Sequence, residues 1–581
     1  MSAFLGVGSS LTGRRWLGPD AEVERQAEAI AQATGLPDTL ARILASRGVA
    51  AAEAEVFLAP SLRALMPDPS GFKDMDKAAA RIFAALQAGE RIAIFADYDV
   101  DGATSAAELL VWFGALGHRP TLYIPDRLAE GYGPNDAAMA RLGAGHDLVI
   151  CVDCGTVAHG PIQKAVDAGA DVIVLDHHLG AETLPPALAV VNPNRQDETS
   201  EYTYLCAAGV VFLTLVAVNR HFREAGIPAP PLLDMLDLVA LGTVADVAPL
   251  VGFNRALVRQ GLAVMAGRTR PGLVALGDAA KLNTTPRAYH LGYLLGPRIN
   301  AGGRIGEANL GARLLTTADP HEAAALAERL NALNAERREI EAQVQAAAEQ
   351  QAESHGLEAP LIWAAGHGWH PGVVGIVASR LKEKYNRPAV VIGIDAAGLG
   401  HGSGRSVSGI DLGAAIAALA REGLITKGGG HKMAAGLSVP EAGIEAAMAV
   451  LAQKLARQGA GNIGPKDLMI TASIGNATPD LIEQIEAAGP FGAGAPAPRF
   501  AIPAARIRFA KPAGESHLRL TVDNGAGPID IIAFRAFESD LGQALLNHAG
   551  QSFHFVGRLE IDEWGGRRKA KMQLEDAAKA L

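Results

Sequence analysis

The chain has 581 residues, 49% of them hydrophobic and 20% charged, with 66 glycines and 32 prolines scattered along its length. This is globular composition, long enough for about four domains, and it excludes collagen and long low-complexity linkers. The net charge of −10 excludes a protein that coats nucleic acid by bulk charge, and neither a membrane span nor a secretory leader is expected.

Residues 1–88 read as an N-terminal helical segment, because AEVERQAEAIAQATG and KAAARIFAALQAG space their apolar residues at helical intervals. Residues 89–318 change pattern. RIAIFA (91–96), DLVICV (147–152) and DVIVL (171–175) are short β-branched runs alternating with helical stretches, which predicts an α/β domain on buried parallel strands. A long connector helix is expected over 319–356, with Asp319 as N-cap, Pro320 at the first helical position, Glu322 completing a capping box and Gly356 ending it. At 1.5 Å per residue it runs about 54 Å, enough to join two lobes across a cleft. Residues 357–458 read as a second α/β domain, with PAVVIGI (388–394) as a strand and HGSGRSVSG (401–409) and GGGHKMAAG (428–436) as glycine-rich loops or turns. Residues 459–581 hold the Pro/Gly boundary PFGAGAPAPRF, then alternating segments that suggest a small antiparallel, OB-like β-barrel. From Arg499 on, 12 basic residues face 10 acidic ones, so this tail is the less acidic part.

Each strand-like run of the first α/β region ends in acid. Asp97, Asp99 and Asp101 follow the first, Asp153 the second, and Asp176, His177 and His178 the third. In open parallel sheets, ligands bind outside the carboxyl ends of strands, so these groups converge on one crevice. Asp246, in LGTVADVAPL, is a fourth acid in apolar surroundings. Clustered carboxylates raise one another's pKa, and two divalent cations relieve the repulsion. Carboxylates with imidazole suit Mn²⁺ or Mg²⁺. A pair of such ions about 4 Å apart activates a water and stabilises a leaving oxygen, which is phosphoester hydrolysis. The DYDVDG run alone could be a calcium loop, but it is expected to lack that loop's acid at the twelfth position and it follows directly on a strand. The spacing of Cys151 and Cys154 could bind zinc or cycle redox state; without a second pair, and on a strand-like run, it reads as structural. Three cysteines in all, the third being Cys206, are too few for a disulfide scaffold, so the cytoplasm is the expected location.

DYDVDG, VDCGT, LDHHL and GTVADV resemble the four ordered motifs of the DHH phosphoesterase superfamily, and GWHPGVVGIVASRL, GSGRSVSGIDL and GGGHKMAAG resemble its associated C-terminal domain. LGPRINAGGRIG, RLAEGYGPN and PFGAGAPAPRF are similar to the RecJ family of single-strand-specific 5′ exonucleases, and the resemblance covers roughly residues 40 to 578. It implies Asp97, Asp99, Asp101, Asp153, His177 and Asp246 as metal ligands, with Asp153 bridging and His178 approaching the scissile phosphate. Asp153, His177 and His178 are the implied catalytic residues. Asp176 either orients a histidine or caps a strand end. Two departures stand out: Ala96 occupies the family's usual glycine, and Ala495 and Ala497 replace its asparagine and glutamate.

For substrate, the resemblance implies that Ser403 and Arg405 hold the 5′-terminal phosphate and that His431 faces the strand. Arg298, Asn300 and Arg304 read as backbone contacts, while Arg127 could clamp phosphate and Tyr132 stack a base. Trp564 before GGRRKAK joins an aromatic to four cations, either a single-strand track on the barrel or a solvated hairpin tip. The implied activity is two-metal hydrolysis of single-stranded DNA from the 5′ end, in repair and recombination, by a monomer assisted by a single-strand-binding protein and a helicase. A DHH-type hydrolase of short oligoribonucleotides or cyclic dinucleotides is the alternative enzyme, and a non-catalytic replication scaffold the alternative without chemistry.

Overall fold

The computed structural model describes residues 3–127, 129–562 and 568–580. It divides into two compact units, one of residues 67–248 and 260–464, the other of residues 1–66, 249–259 and 465–581.

The larger unit holds two sheets. The first is wholly parallel, in spatial order Thr121–Tyr123, Ile92–Ala96, Leu148–Val152, Asp171–Leu175, Ala189–Val191. Its three long strands are the predicted apolar runs. They are almost entirely buried, as expected where helices cover both faces. The two outer strands have three residues each and carry no pattern that marks them.

The connector helix spans Pro320–His355, 36 residues, and the Asp319 side chain caps it by accepting from the His321 amide at 2.9 Å. The expected capping box does not close, because Glu322 accepts from Thr317 Oγ1 at 2.6 Å and Arg313 at 3.2 Å instead of from the Asp319 amide. Leu326, Leu330 and Leu333 bury its first half, and Val344, Ala348 and Ala352 pack its second half against Val373, Val377 and Leu381.

The second sheet runs Lys427–His431, Ala434–Pro440, Leu399–Arg405, Ala389–Ile394, Ile362–His367. HGSGR and GGGH, expected as loops, are therefore strands, and Arg405 ends a strand. Here glycine supplies room rather than flexibility: a Cβ on Gly402 would sit 2.9 Å from Leu437 Cγ, and one on Gly404 2.7 Å from Leu412 Cδ2.

In the smaller unit, Phe500–Ala513, His517–Asp523, Pro528–Ala533, Lys569–Lys579 and Ser552–Asp562 close into a barrel. It is antiparallel as expected except for one parallel pairing, Pro528–Ala533 with Lys569–Lys579. N-terminal residues belong to the same body. Arg15–Leu17 pairs with Asp467–Met469, Trp16 donates to buried Asp576 at 2.9 Å, and Leu40 and Ile43 enter the barrel core. Trp564 and neighbouring residues 563–567 lie outside the described residues. Among the described residues, no helix is long and apolar enough to cross a membrane.

Candidate metal centre and phosphate cavity

Asp97, Asp153 and Asp176 are the first residues past three adjacent strands. Their amides still continue the ladder, donating to Val152, Leu175 and Val191 at 3.4, 3.0 and 3.1 Å. All three side chains are buried. Asp153 has φ 59°, a left-handed conformation that costs a non-glycine residue about 1–3 kcal/mol and marks a turn held for its side-chain direction. Asp99 caps the helix Val100–Ala115, accepting from the Asp101 and Gly102 amides at 2.9 and 3.1 Å. Gly102 is required by close approach, since a Cβ there would lie 2.3 Å from the Asp97 carbonyl oxygen. Asp101 accepts from the amides of Ala207 and Ala208, at 2.7 and 3.0 Å, in the first turn of the helix Ala207–Glu224, where the helix dipole favours an anion.

His177 completes the cluster. Its Nε2 lies 3.3 Å from Asp153 Oδ1 and 3.8 Å from Asp101 Oδ2, and its Nδ1 lies 3.8 Å from Asp246 Oδ2. Asp246 is the residue that ends the helix Leu236–Ala245. Three groupings bring their ligand atoms within 4.8 Å of one another: Asp97, Asp99 and Asp153; Asp101, His177 and Asp246; and Asp153, His177 and His178. Buried Asp97 Oδ1, Asp153 Oδ1 and His177 Nε2 have no hydrogen bond. Burial first, then mutual carboxylate charge, pushes Asp97 and Asp153 well up. The same causes, burial and then Asp101 and Asp99, push Asp246 up to about 8. Anionic oxygens and an imidazole that face one another without donors fit divalent cations.

The Asp176 carboxylate binds Thr156 through the amide at 3.1 Å and the hydroxyl at 2.7 Å, and holds His178 Nδ1 at 2.8 Å. Burial opposes the protonated imidazole, but the Asp176 hydrogen bond and charge outweigh it and lift His178 to about 9. The Tyr132 hydroxyl donates to the Asp153 carbonyl at 3.2 Å and lies 3.1 Å from His178 Nδ1. Asn192 and Asn194 were not anticipated. Asn192 donates to Thr156 Oγ1 and the His178 carbonyl, both at 2.8 Å, and Asn194 to the His177 carbonyl at 2.6 Å. The Asn-Pro-Asn turn signal after the last strand could have marked them. Glu108, also unanticipated, stands twelfth from Asp97, so the acid expected to be missing from a calcium loop is present. It is fully buried inside a helix, which removes the calcium-loop reading. Cys151 and Cys154 are core residues, and no cysteine joins a metal-competent group among the described residues.

A cavity of about 470 Å³ in the same unit is lined by Arg127, Arg304, Ser403 and Arg405, with Tyr293, Gly375 and Arg380 among its other walls. Arg405 donates to Ser403 Oγ and the Gly404 carbonyl at 2.9 Å each, and Arg304 to the Gly372 carbonyl at 2.9 Å. Arg127 sits 5.2 Å above the Tyr98 ring. Burial and then the Arg127 charge lower Arg304 to about 10 and Arg405 likewise below its usual range, so the cavity disfavours its own cations until an anion enters. Arg298, Asn300 and His431 do not line it. Arg298 is engaged with Asn331 Oδ1 at 3.0 Å and the Leu294 carbonyl at 2.7 Å, and His431 is exposed at a strand end. Arg380, inside the GWHPGVVGIVASRL run but given no role from it, is a further cation on the cavity wall.

Comparison with known proteins matches three family models: the DHH family N-terminal domain over residues 91–243, the DHHA1 domain over 358–457 and the RecJ OB domain over 470–576. The single-stranded-DNA-specific exonuclease RecJ of Dickeya dadantii is 37% identical over 93% of this chain and 96% of its own. The RecJ of Escherichia coli is 35% identical over 96% of this chain and 98% of its own. The crystal structure of Thermus thermophilus RecJ with Mn²⁺ is 32% identical, with TM-score 0.80 over 97% of this chain and 79% of that one.

Proposed function

The chain belongs to the RecJ family of single-stranded-DNA-specific exonucleases, and from that premise we propose that it hydrolyses single-stranded DNA from the 5′ end, with Mn²⁺ or Mg²⁺, releasing 5′ mononucleotides. The observation that carries the reading is the set of buried, unsatisfied ligand atoms at the strand ends, Asp97 Oδ1, Asp153 Oδ1 and His177 Nε2. Asp97, Asp99 and Asp153 would hold one cation; Asp101, His177 and Asp246, with Asp153 shared, would hold the other. The cations supply Lewis acidity and a water of lowered pKa.

The chain's own groups do the rest. Asp176 keeps His178 charged and oriented, so that its imidazolium can meet the scissile phosphate. Arg127, Arg304, Ser403 and Arg405 receive the terminal phosphate, the arginine forks matching a dianion. A fixed strand end and a fixed cutting position set the product at one nucleotide. Arg298 acts by bracing its helix, and Asn300 and His431 meet the strand farther out. Family membership supports the finer assignments: a cytoplasmic monomer in repair and recombination, working with a single-strand-binding protein and a helicase.

The test is digestion of 5′- and 3′-labelled single-stranded and duplex DNA with and without chelator. Rapid release of the 5′ label from single strands alone, abolished by chelator, is expected. Equal attack on duplex, or release from the 3′ end first, overturns the reading.

A further inference from the structure

We propose that Tyr289 and Tyr293 form a base-stacking platform that holds one nucleobase of the strand beside the phosphate cavity. The inference rests on the exonuclease reading and extends it to residues outside every motif. The two rings are stacked, with centroids 5.0 Å apart and planes 25° from parallel. They are 64% and 74% exposed. An exposed stacked pair offers an open π face, and every base has a π face to place on it, so such a contact is tolerant of sequence.

Position ties the pair to the substrate. Tyr293 lines the same cavity as Arg127, Arg304 and Arg405. This concentration of arginine selects a polyanionic occupant over an apolar peptide. The backbone that carries Tyr293 is anchored from beneath. Leu291–Leu295 forms a π-helical turn, a geometry frequent at functional sites, and its Leu291 and Leu295 are buried while Tyr293 is exposed. The turn packs on the elements that carry the acids. A Cβ on Gly292 would sit 3.4 Å from Val244 Cγ1, and one on Gly296 3.4 Å from Ala245 Cβ and 3.9 Å from Val100 Cγ2. Val100 follows Asp99 and Ala245 precedes Asp246, so the platform and the candidate metal centre share a rigid frame.

The experiment is abasic scanning. 5′-Phosphorylated single strands carrying one abasic nucleotide at each of the first four positions are digested by the wild type and by the Tyr293→Ala, Tyr289→Ala and Tyr293→Phe variants. For the wild type, one abasic position should raise KM about tenfold, with kcat little changed. Tyr293→Ala should show that rise already on unmodified DNA and no further rise at that position, and Tyr293→Phe should behave as wild type. Abasic sensitivity of equal size in wild type and Tyr293→Ala overturns the platform. A wild type that digests no single strands removes the exonuclease reading itself, so the two failures are distinguishable.

Discussion

The Asp176 carboxylate holds His178 Nδ1 at 2.8 Å, and the same oxygen accepts the main-chain amides of His177 and His178 at 2.8 and 3.2 Å. One buried carboxylate therefore caps the strand end and sets the direction of the imidazole, and the two roles open from the sequence are both filled. Replacing Asp176 by Asn keeps the shape but removes the charge that keeps His178 protonated. The expected outcome is a ten- to hundredfold slower cleavage with metal content unchanged, the range typical of lost partners behind a site. Rate and bound manganese measured together check it; an unchanged rate would mean that His178 needs no such support.

Asp153→Asn should abolish hydrolysis, by about a thousandfold or more, while the protein stays folded. The residue is buried, lies in three-way reach of Asp97, Asp99 and His177, and is the one carboxylate common to two of the ligand groupings. An amide could not supply the charge that two cations would share in the proposed site, and such Lewis acidity is worth several kcal/mol. Near-normal cleavage by this variant would remove the two-cation assignment.

Arg405→Ala should slow cleavage of 5′-phosphorylated strands about ten- to a hundredfold, the worth of a lost charge-assisted pair. Strands with a 5′-hydroxyl should be slowed much less. Comparing wild type and variant on both ends isolates the phosphate contact. Equal slowing would move the end-reading role to Arg127, which lines the same cavity.

Adding Mn²⁺ should raise the unfolding temperature of the larger unit, and a chelator should lower it. Asp97, Asp101 and Asp153 are each pushed up first by burial and then by neighbouring carboxylates, except that His177 partly relieves Asp101. A cation bound only by the folded state stabilises it by about 2.7 kcal/mol at a hundred times its Kd. Differential scanning measurements across a manganese titration check this, and a midpoint independent of manganese would contradict the site.

Trp16→Phe should destabilise the smaller unit by about 1–3 kcal/mol, because buried Asp576 loses the indole donor at 2.9 Å. Urea unfolding followed in the barrel reads it directly. Deleting residues 501–581 would remove Asp576 and also strip Leu40 and Ile43 of most of their core neighbours, so point variants are the cleaner probe of the barrel.

The parallel strands were legible because burial on both faces leaves an unbroken β-branched run, and the acids were legible because each ends such a run. The connector helix announced itself through Asp319 and Pro320. Other features leave no local trace. Gly402 and Gly404 look like a loop in isolation, and only the packing of Leu437 and Leu412 against them explains why no side chain fits at these strand positions. Ala189–Val191 is too short to show a period, so the strand that gives the Asn-Pro-Asn turn its meaning is hidden, although the turn itself is visible. The partnership of Trp16 with Asp576 links positions 560 residues apart, a separation at which no pattern along the chain could pair them.

The amides of Ala207 and Ala208 end on Asp101 rather than on water or a helical carbonyl. Their hydrogen–deuterium exchange is therefore an internal gauge of the carboxylate they hold. A label retained at these two positions records an intact acid cluster, and early loss records its loosening, before any substrate is added and without a reporter attached to the site.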